Sequence, residues 1–237
     1  MKEICKLTPR LMAIAQKVEP GARLADIGTD HGLLPVFLLQ QGWLRSAVAS
    51  DLRKGPLARA AATAARYGMS ERMSLRLGPG LSTVTPRECD TVVLAGMGGE
   101  TIQAILEEAG WPEKGGHTLL LQPMTMAKHL RHYLFSKGYR ILEETVCMDS
   151  GRIYTVMKAV GGFLPKEVSL HQCSVSRALL QDGQCGIYLA EQLRRERKAL
   201  EGLQKAAAPD AGQMALQQKT VDFLTEKLQE AAWNENR

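Results

Sequence analysis

The chain has 237 residues, 45% of them hydrophobic, and a formal charge of +5. That size suits one medium domain or a domain with an appendage, and the apolar content excludes a chain disordered throughout. No stretch approaches the roughly 18 uninterrupted apolar residues of a membrane span, and the opening residues lack both a long apolar segment and a small-residue cleavage site, so the expectation is a cytoplasmic protein that engages no membrane.

Leu7, Leu11, Ile14, Ala15 and Val18 fall at helical spacing, with Lys2, Lys6, Arg10 and Lys17 between them. They predict an opening helix that Pro20-Gly21 stops. Residues 23–27 read as a buried strand. Residues 33–41 read as a helix with Pro35 in its first turn and Gly42 just past its end. The alternation continues with a strand at 46–50 (SAVAS), an alanine-rich helix at 55–67 and a strand at 73–77 followed by GPGL. A strand at 91–95 (TVVLA) then leads through GMGG to a helix at 100–109. A strand at 118–122 follows, then Pro123 and a helix at 127–137. Strands alternating with helices predict a parallel sheet covered on both faces.

The rhythm then changes. Residues 139–148 and 153–160 read as two strands joined by a hairpin turn at Asp149-Ser150-Gly151. A sheet that ends in a reversed pair predicts the seven-stranded, Rossmann-like α/β fold of class I S-adenosylmethionine (SAM) methyltransferases, an argument from topology alone. Gly161-Gly162 and Pro165 mark a boundary, giving a first domain at 1–160 and a second at 161–237. In the second, helices are expected at 187–206 and 211–233. Leu193, Leu200 and Leu203 form an apolar seam on one, and Met214, Val221, Leu224 and Leu228 form one on the other. Pro209-Asp210-Ala211-Gly212 turns the chain between them. The near-heptad spacing predicts an antiparallel, coiled-coil-like helical hairpin. It could serve stability alone or act as an arm for an elongated partner.

Residues 1–160 carry 20 Lys and Arg against 15 Asp and Glu, so the whole basic excess lies there. A positive surface attracts polyanions such as nucleic acid. The five cysteines form no CxxC pair. Cys89 and Cys147 sit in apolar runs and are expected to pack as small hydrophobes. His129 and His132 share a helix face but show no third ligand, so no metal is expected.

The stretch LADIGTDHGLLP (24–35) poses the chemical question. A dinucleotide turn uses GxGxxG because pyrophosphate lies against the helix N-terminus. Here Asp30 stands inside the glycine turn, and position 33 is leucine. SAM carries no phosphate but a sulfonium, an ammonium, a carboxylate and a ribose. The turn's N–H groups suit the carboxylate, and Asp26, ending its strand, suits the ammonium. Asp51, 25 residues on and ending the next strand, is placed for the ribose hydroxyls. Helix capping is the plainer role for either acid. Gly96, Gly98 and Gly99 follow the fourth strand, where a methyl acceptor meets the donor in this fold. Three glycines around Met97 suit close approach of a flat ring or of the cofactor. The Asp/Asn-Pro-Pro-aromatic box of many amino-methylating nucleic-acid enzymes is missing.

LADIGTDHGLLP, ASDLRKGPL, LAGMGGETI, LLLQPM with HLRHYLFSKGY, and GRIYTVM occur in this order and spacing. Together they resemble the bacterial tRNA (adenine(22)-N1)-methyltransferase family, TrmK, over roughly residues 7–160. The resemblance implies methyl transfer from SAM to N1 of an adenine in the D-arm region of tRNA. It implies a cofactor pocket of Asp26, Gly28, Asp30, Gly32, Asp51, Leu52, Gly78, Gly80, Gly96, Met97 and Gly98. The chain has Pro79 where the family usually shows an acid, at the place that often holds the cofactor's adenine N6. Asp30, with His31 second, is the candidate to take the proton that N6 loses. Candidate tRNA contacts are Lys6 and Arg10 on the first helix, Arg53 and Lys54 beside the cofactor, Gln122 in LLLQPM, and Arg194 and Arg195 on the arm. The protein is expected to be a monomer. A SAM-dependent enzyme acting on another RNA base or a small molecule is the alternative. A catalytically silent tRNA-binding module is a further one. A nicotinamide oxidoreductase is disfavoured by Asp30 and the final hairpin.

Overall fold

The computed structural model describes residues 3–206 and 210–235. Seven strands form one sheet: β1 (Ala22–Ile27), β2 (Leu44–Asp51), β3 (Met73–Leu77), β4 (Thr91–Gly98), β5 (Thr118–Thr125), β6 (Arg140–Asp149) and β7 (Arg152–Val160). Their order across the sheet is β3-β2-β1-β4-β5-β7-β6. β7 pairs antiparallel with both β5 and β6, while the other pairings are parallel. The reversal expected from the hairpin is present. Ser150 and Gly151 both take left-handed φ angles, 51° and 72°, the geometry that lets a tight hairpin follow the strands' own twist.

The side-chain period of two sorts the sheet into two cores. Leu24, Ala47, Val93, Leu120 and Val156 face α1 (Pro9–Ala15), α2 (Leu33–Gln40) and α3 (Lys54–Arg66). Their neighbours Ala25, Val48, Val92, Leu119 and Met157 face α4 (Gly99–Ala109) and α5 (Ala127–Ser136). Both faces are covered, so the central strands read as apolar runs. All five cysteines are buried.

Three expectations need correction. The opening helix is shorter than predicted. It begins at Pro9 behind Thr8, whose Oγ1 accepts the Leu11 N–H. Threonine at the cap with proline at the first position sets that start. Lys6 and Leu7 therefore precede the helix rather than ride on it, and Lys2 lies outside the described residues. Second, GMGG is not a plain turn. β4 continues to Gly98 opposite Thr125, with irregularities on either side of Met97. Pro123, which has no N–H to give, sits opposite that irregular stretch. Third, residues 161–184 are not a simple boundary. They wrap the molecule in short 3₁₀ turns and bury Cys173, Ser174, Val175 and Leu179.

The C-terminal helices α6 (Cys185–Gln204) and α7 (Ala211–Glu235) pack antiparallel: the Gln217 amide donates to the Glu196 carbonyl at 2.9 Å, and Leu228, further along α7, lies near Leu193, further back on α6. The expected turn between them includes Pro209, which lies outside the described residues. Leu193, Val221 and Leu224 are buried in the seam. The same cluster takes in Val146 and Ile153 from the sheet. One fully buried ion pair makes that junction specific. Arg131 of α5 donates to both Glu144 oxygens of β6, to the Cys173 and Ser174 carbonyls and to the Tyr188 hydroxyl of α6. A second tie, Lys128 to Glu196 at 2.9 Å, lies one turn earlier on α5.

Candidate active site

β1 lies between β2 and β4. The helices after its neighbours leave on opposite faces of the sheet, so a crevice opens at the carboxyl ends of these strands. A cavity of about 280 Å³ occupies it, lined by Arg10, Asp26, Gly28, Thr29, Asp30, His31, Ala95 and Gly96 with Thr8, Leu11, Leu33 and Leu34. A hollow of about 350 Å³ at the opposite edge, around Asp90, His117 and Thr118, sits at the amino ends of the strands and away from these acids.

Asp26, the next-to-last residue of β1, is 6% exposed. The Thr29 hydroxyl donates to its Oδ2 at 2.6 Å. Burial drives its pKa up to about 6; the Thr29 hydrogen bond works against this, and the neighbouring Asp51 charge adds to it. Burial thus disfavours the ionised form, and a cation placed beside it would favour that form. Asp51 ends β2 and is also buried; its Oδ1 accepts the Arg53 backbone N–H at 2.9 Å. That bond is local turn chemistry, and the Asp51 charge acts on Asp26.

Between β1 and α2 the chain makes its sharp turn. Gly28 has φ of 72°, and the Met97 methyl occupies the space where a Cβ would stand. The glycine thus lets the two loops touch. Asp30 follows with φ of 50°, a region where Asp and Asn are tolerated better than most side chains. The backbone thereby turns Asp30 outward, where Arg59 of α3 donates to its Oδ1 at 2.5 Å. His31 Nε2 lies 3.6 Å from the other oxygen.

Part of the turn's N–H set is already used within the chain. The Gly28 and Thr29 N–H groups both donate to the Ser50 carbonyl, at 2.8 and 2.9 Å, and that of Gly32 donates to Thr29. The Gly28 and Thr29 amides thus tie the turn to β2, and the Gly32 amide closes the turn on itself. A cationic side chain stands nearby as well. Arg10 of α1, expected on a phosphate-binding surface, lines the cavity.

Gln122, expected as a tRNA contact, is fully buried in β5. Its Oε1 accepts from Arg10 Nη1 at 2.7 Å and from the Gly96 N–H at 3.0 Å. It therefore holds the fourth strand's loop, and a nucleic acid cannot reach it in this conformation. Beyond that loop, α4 starts hard against β5: a Cβ on Gly99 would lie 2.7 Å from the Met126 carbonyl oxygen.

Of the predicted cofactor residues, Asp26, Gly28, Asp30 and Gly96 line the cavity, and so does the predicted catalytic His31. Gly32, Asp51, Leu52, Gly78, Gly80, Met97 and Gly98 do not. Gly32 is buried as the cap of α2. The others follow β2, β3 and β4 along the same carboxyl edge of the sheet. Leu52 is 68% exposed there. Thr29, Arg59 and the Ser50 carbonyl were missed. A hydroxyl three residues after a buried acid was a readable signal for Thr29. The other two depend on which elements become neighbours.

The basic clusters are dispersed. Arg53 is 77% exposed beside Asp51, and Lys54 opens α3. Arg194 and Arg195 are exposed on α6, but both pair with Glu191. Further along α6, Arg197 and Lys198 join Arg194 around a groove of about 600 Å³ floored by Leu193 and Leu228. Among the described residues, no cluster of three or more His, Cys, Asp or Glu could hold a metal ion, and no helix is long and apolar enough to cross a membrane.

Comparison with known proteins bears on this site. Residues 7–157 match the family model described as "Methyltransferase domain". The tRNA (adenine(22)-N(1))-methyltransferase of Bacillus subtilis is 34% identical over 157 residues, which is 66% of this chain and 66% of that relative's own length. The crystal structure of the B. subtilis M1A22 tRNA methyltransferase TrmK superposes with a TM-score of 0.82 at 26% identity, covering 94% of this chain and 99% of that one. Streptococcus pneumoniae Sp1610 in complex with S-adenosyl-L-methionine gives 0.78 at 26% identity, over 94% of this chain and all of that one.

Proposed function

The chain belongs to the methyltransferase-domain family and, within it, groups with the tRNA (adenine(22)-N1)-methyltransferases, and from that premise we propose that it transfers the methyl group of SAM to N1 of adenine 22 of tRNA. One observation carries the reading: a buried, cation-seeking carboxylate, Asp26, faces a cavity at the sheet's switch point. Under this reading residues 1–160 are the catalytic domain and residues 161–237 a helical hairpin domain. The enzyme works in the cytoplasm as a monomer.

The residues fit the cofactor's chemistry. Asp26 takes its ammonium directly or through water, and Asp51 takes the ribose hydroxyls. The loops carrying Leu52, Gly78, Gly80 and Met97, on the same sheet edge, would hold its nucleoside end. When bound, SAM supplies an electrophilic methyl group. N1 of adenine already has an in-plane lone pair, so no side chain must create the nucleophile. The protein must expose a base that is paired or stacked, which costs a few kcal/mol. It must also align N1, methyl and sulfur, and alignment contributes up to roughly 7–11 kcal/mol in good cases. As positive charge passes to the base, Asp30 at the cavity mouth stabilises it and accepts the N6 proton, with His31 beside it.

Asp30→Asn is the clean test of that role, because asparagine tolerates the same left-handed backbone. SAM affinity, measured by calorimetry, should hold while turnover falls at least about tenfold. Unchanged turnover would remove Asp30 from the chemistry.

The tRNA is held mainly through phosphates, by Lys6, Arg53 and Lys54 at the mouth and by Arg194 and Arg195 on the arm. Reversing the charge at Arg194 and Arg195 should weaken tRNA binding and flatten its dependence on log salt by about 0.9 for each phosphate no longer neutralised. Affinity and slope that both stay put would make α6 a purely structural element. The function itself is tested by incubating the protein with labelled SAM and unmodified tRNA and mapping the product. Methyl on N1 of adenine 22 is expected. Label on a different base, or on none, would overturn the assignment.

A further inference from the structure

We propose that Glu196 is a positioning residue for the tRNA: with Lys128 and Gln217 it fixes the direction of the helical arm, so that the cations beside it stand at a set distance from the crevice. The inference rests on the tRNA-methyltransferase reading above and deepens it.

The direction of α6 follows from its partners. β5 reaches the carboxyl edge of the sheet at Thr125, and α5 turns back from there. Lys128 lies in the first turn of α5, nearest that edge, and Arg131 lies one turn deeper. α6 meets Arg131 through Tyr188 and Lys128 through Glu196. It therefore runs toward the edge that carries the crevice. Among the described residues, none of α6 beyond Glu196 and none of α7 before Gln217 is buried. Residues 197–204 carry α6 further by about 12 Å, as an exposed arm. Across the sheet, β6 lies four strand spacings from β1, about 19 Å. The arm and the crevice are thus separate points of contact. A small molecule cannot occupy both, whereas an elongated polyanion can.

Glu196 is the joint. Its Oε1 accepts from Lys128 Nζ at 2.9 Å, and its Oε2 accepts from Gln217 Nε2 at 2.6 Å. One carboxylate thus joins α5, α6 and α7. The Lys128 and Glu196 side chains are only 20% and 19% exposed, so water competes for them less than for a surface pair. The apolar seam around Leu189, Leu193 and Leu224 holds the hairpin down, but apolar burial has no direction. Tyr188 and Glu196 add two directional attachments, set about 12 Å apart along the helix axis. One attachment leaves a rod free to swing about it; two set its line. Immediately past the joint, Arg197 and Lys198 are exposed, and with Arg194 they border a groove whose lining holds one carboxylate, Glu201. Cations held in place present a high effective concentration to a tRNA whose adenine is already in the crevice, and a swinging arm dilutes it.

The test is steady-state kinetics of the full chain on unmodified tRNA, with SAM affinity followed by calorimetry. Glu196→Ala should raise the KM for tRNA about tenfold and leave kcat and SAM affinity unchanged. Lys128→Met, which breaks the joint from α5 without touching the arm, should do the same. The exchanged pair, Lys128→Glu with Glu196→Lys, should recover most of the loss. Arg197→Gln with Lys198→Gln should also raise KM. Adding Glu196→Ala to those two should cost little more, because the joint acts through those cations. A KM in Lys128→Met within about twofold of wild type overturns the proposal. So do effects that simply multiply, or a fall in kcat in place of the rise in KM. If Glu196→Ala does not fold, Lys128→Met decides by the same criteria. A wild-type protein that methylates no tRNA instead sinks the underlying tRNA-methyltransferase reading.

Discussion

Arg131→Met is expected to destabilise the protein by about 3–5 kcal/mol, the cost of breaking a buried ion pair from one side. Arg131 and Glu144 both have side chains fully shielded from solvent. The substitution leaves the buried Glu144 carboxyl without its partner. It also removes the donors to the Cys173 and Ser174 carbonyls and to the Tyr188 hydroxyl. These partners come from β6, the 161–184 wrap and α6, so the loss falls on the seam that joins the helical hairpin to the sheet. Urea unfolding of the single variant should show a large drop in midpoint. The double variant Arg131→Met, Glu144→Leu should regain a good part of it, because the orphaned charge is gone. A single variant within about 1 kcal/mol of wild type would mean that the pair contributes no more than a surface salt bridge.

Asp26→Asn should have opposite effects on stability and on ligand binding. The folded carboxyl titrates near pH 6 and the unfolded one near 3.8, chiefly because burial opposes ionisation. The folded state therefore holds a proton that the unfolded chain releases. Stability from this group is full below the unfolded pKa, falls as pH rises through 4–6, and stays low above. Asparagine escapes that penalty. The ligand-free variant should be more stable than wild type at pH 8 by about 1–3 kcal/mol and close to it at pH 4. Its SAM affinity should fall roughly 10–100-fold, as expected for a lost charged hydrogen bond. Wild-type binding near pH 6 should release protons, since a cation beside Asp26 favours its ionised form. Calorimetry in two buffers of different ionisation enthalpy measures that release. A variant less stable than wild type at pH 8 would show Asp26 to be a satisfied structural acid.

Both residues illustrate what was legible. The place of Asp26 was legible because it follows from local rules: a buried strand ends, a glycine turn begins, and the acid at that junction faces the crevice. Arg131 was invisible. It sits in HLRHYLFSKGY as one more basic residue on an amphipathic helix, and its burial is set by β6, the wrap and α6 together. Arg10 lay between these cases. Its helix was expected, but where that helix crosses the sheet's edge was not, so it was placed on a surface when it lines the cavity. Gln122 was placed outside for the same reason; its amide is fixed by a loop on the neighbouring strand.

By itself the sequence determined the alternation of strands and helices, the reversed final hairpin, the acidic glycine turn and the helical pair at the C-terminus. Each is written in a window of a few residues, through apolar period, glycine and proline placement and the charge at strand ends. Only the tertiary structure decided which turn amides remain for a ligand, which arginine is buried and which lines the pocket, and how residues 161–184 bind the hairpin to the sheet. Those outcomes rest on hydrogen bonds between residues as far apart as Arg10 and Gln122. Such partners are chosen by packing, which brings distant strands and helices to one place.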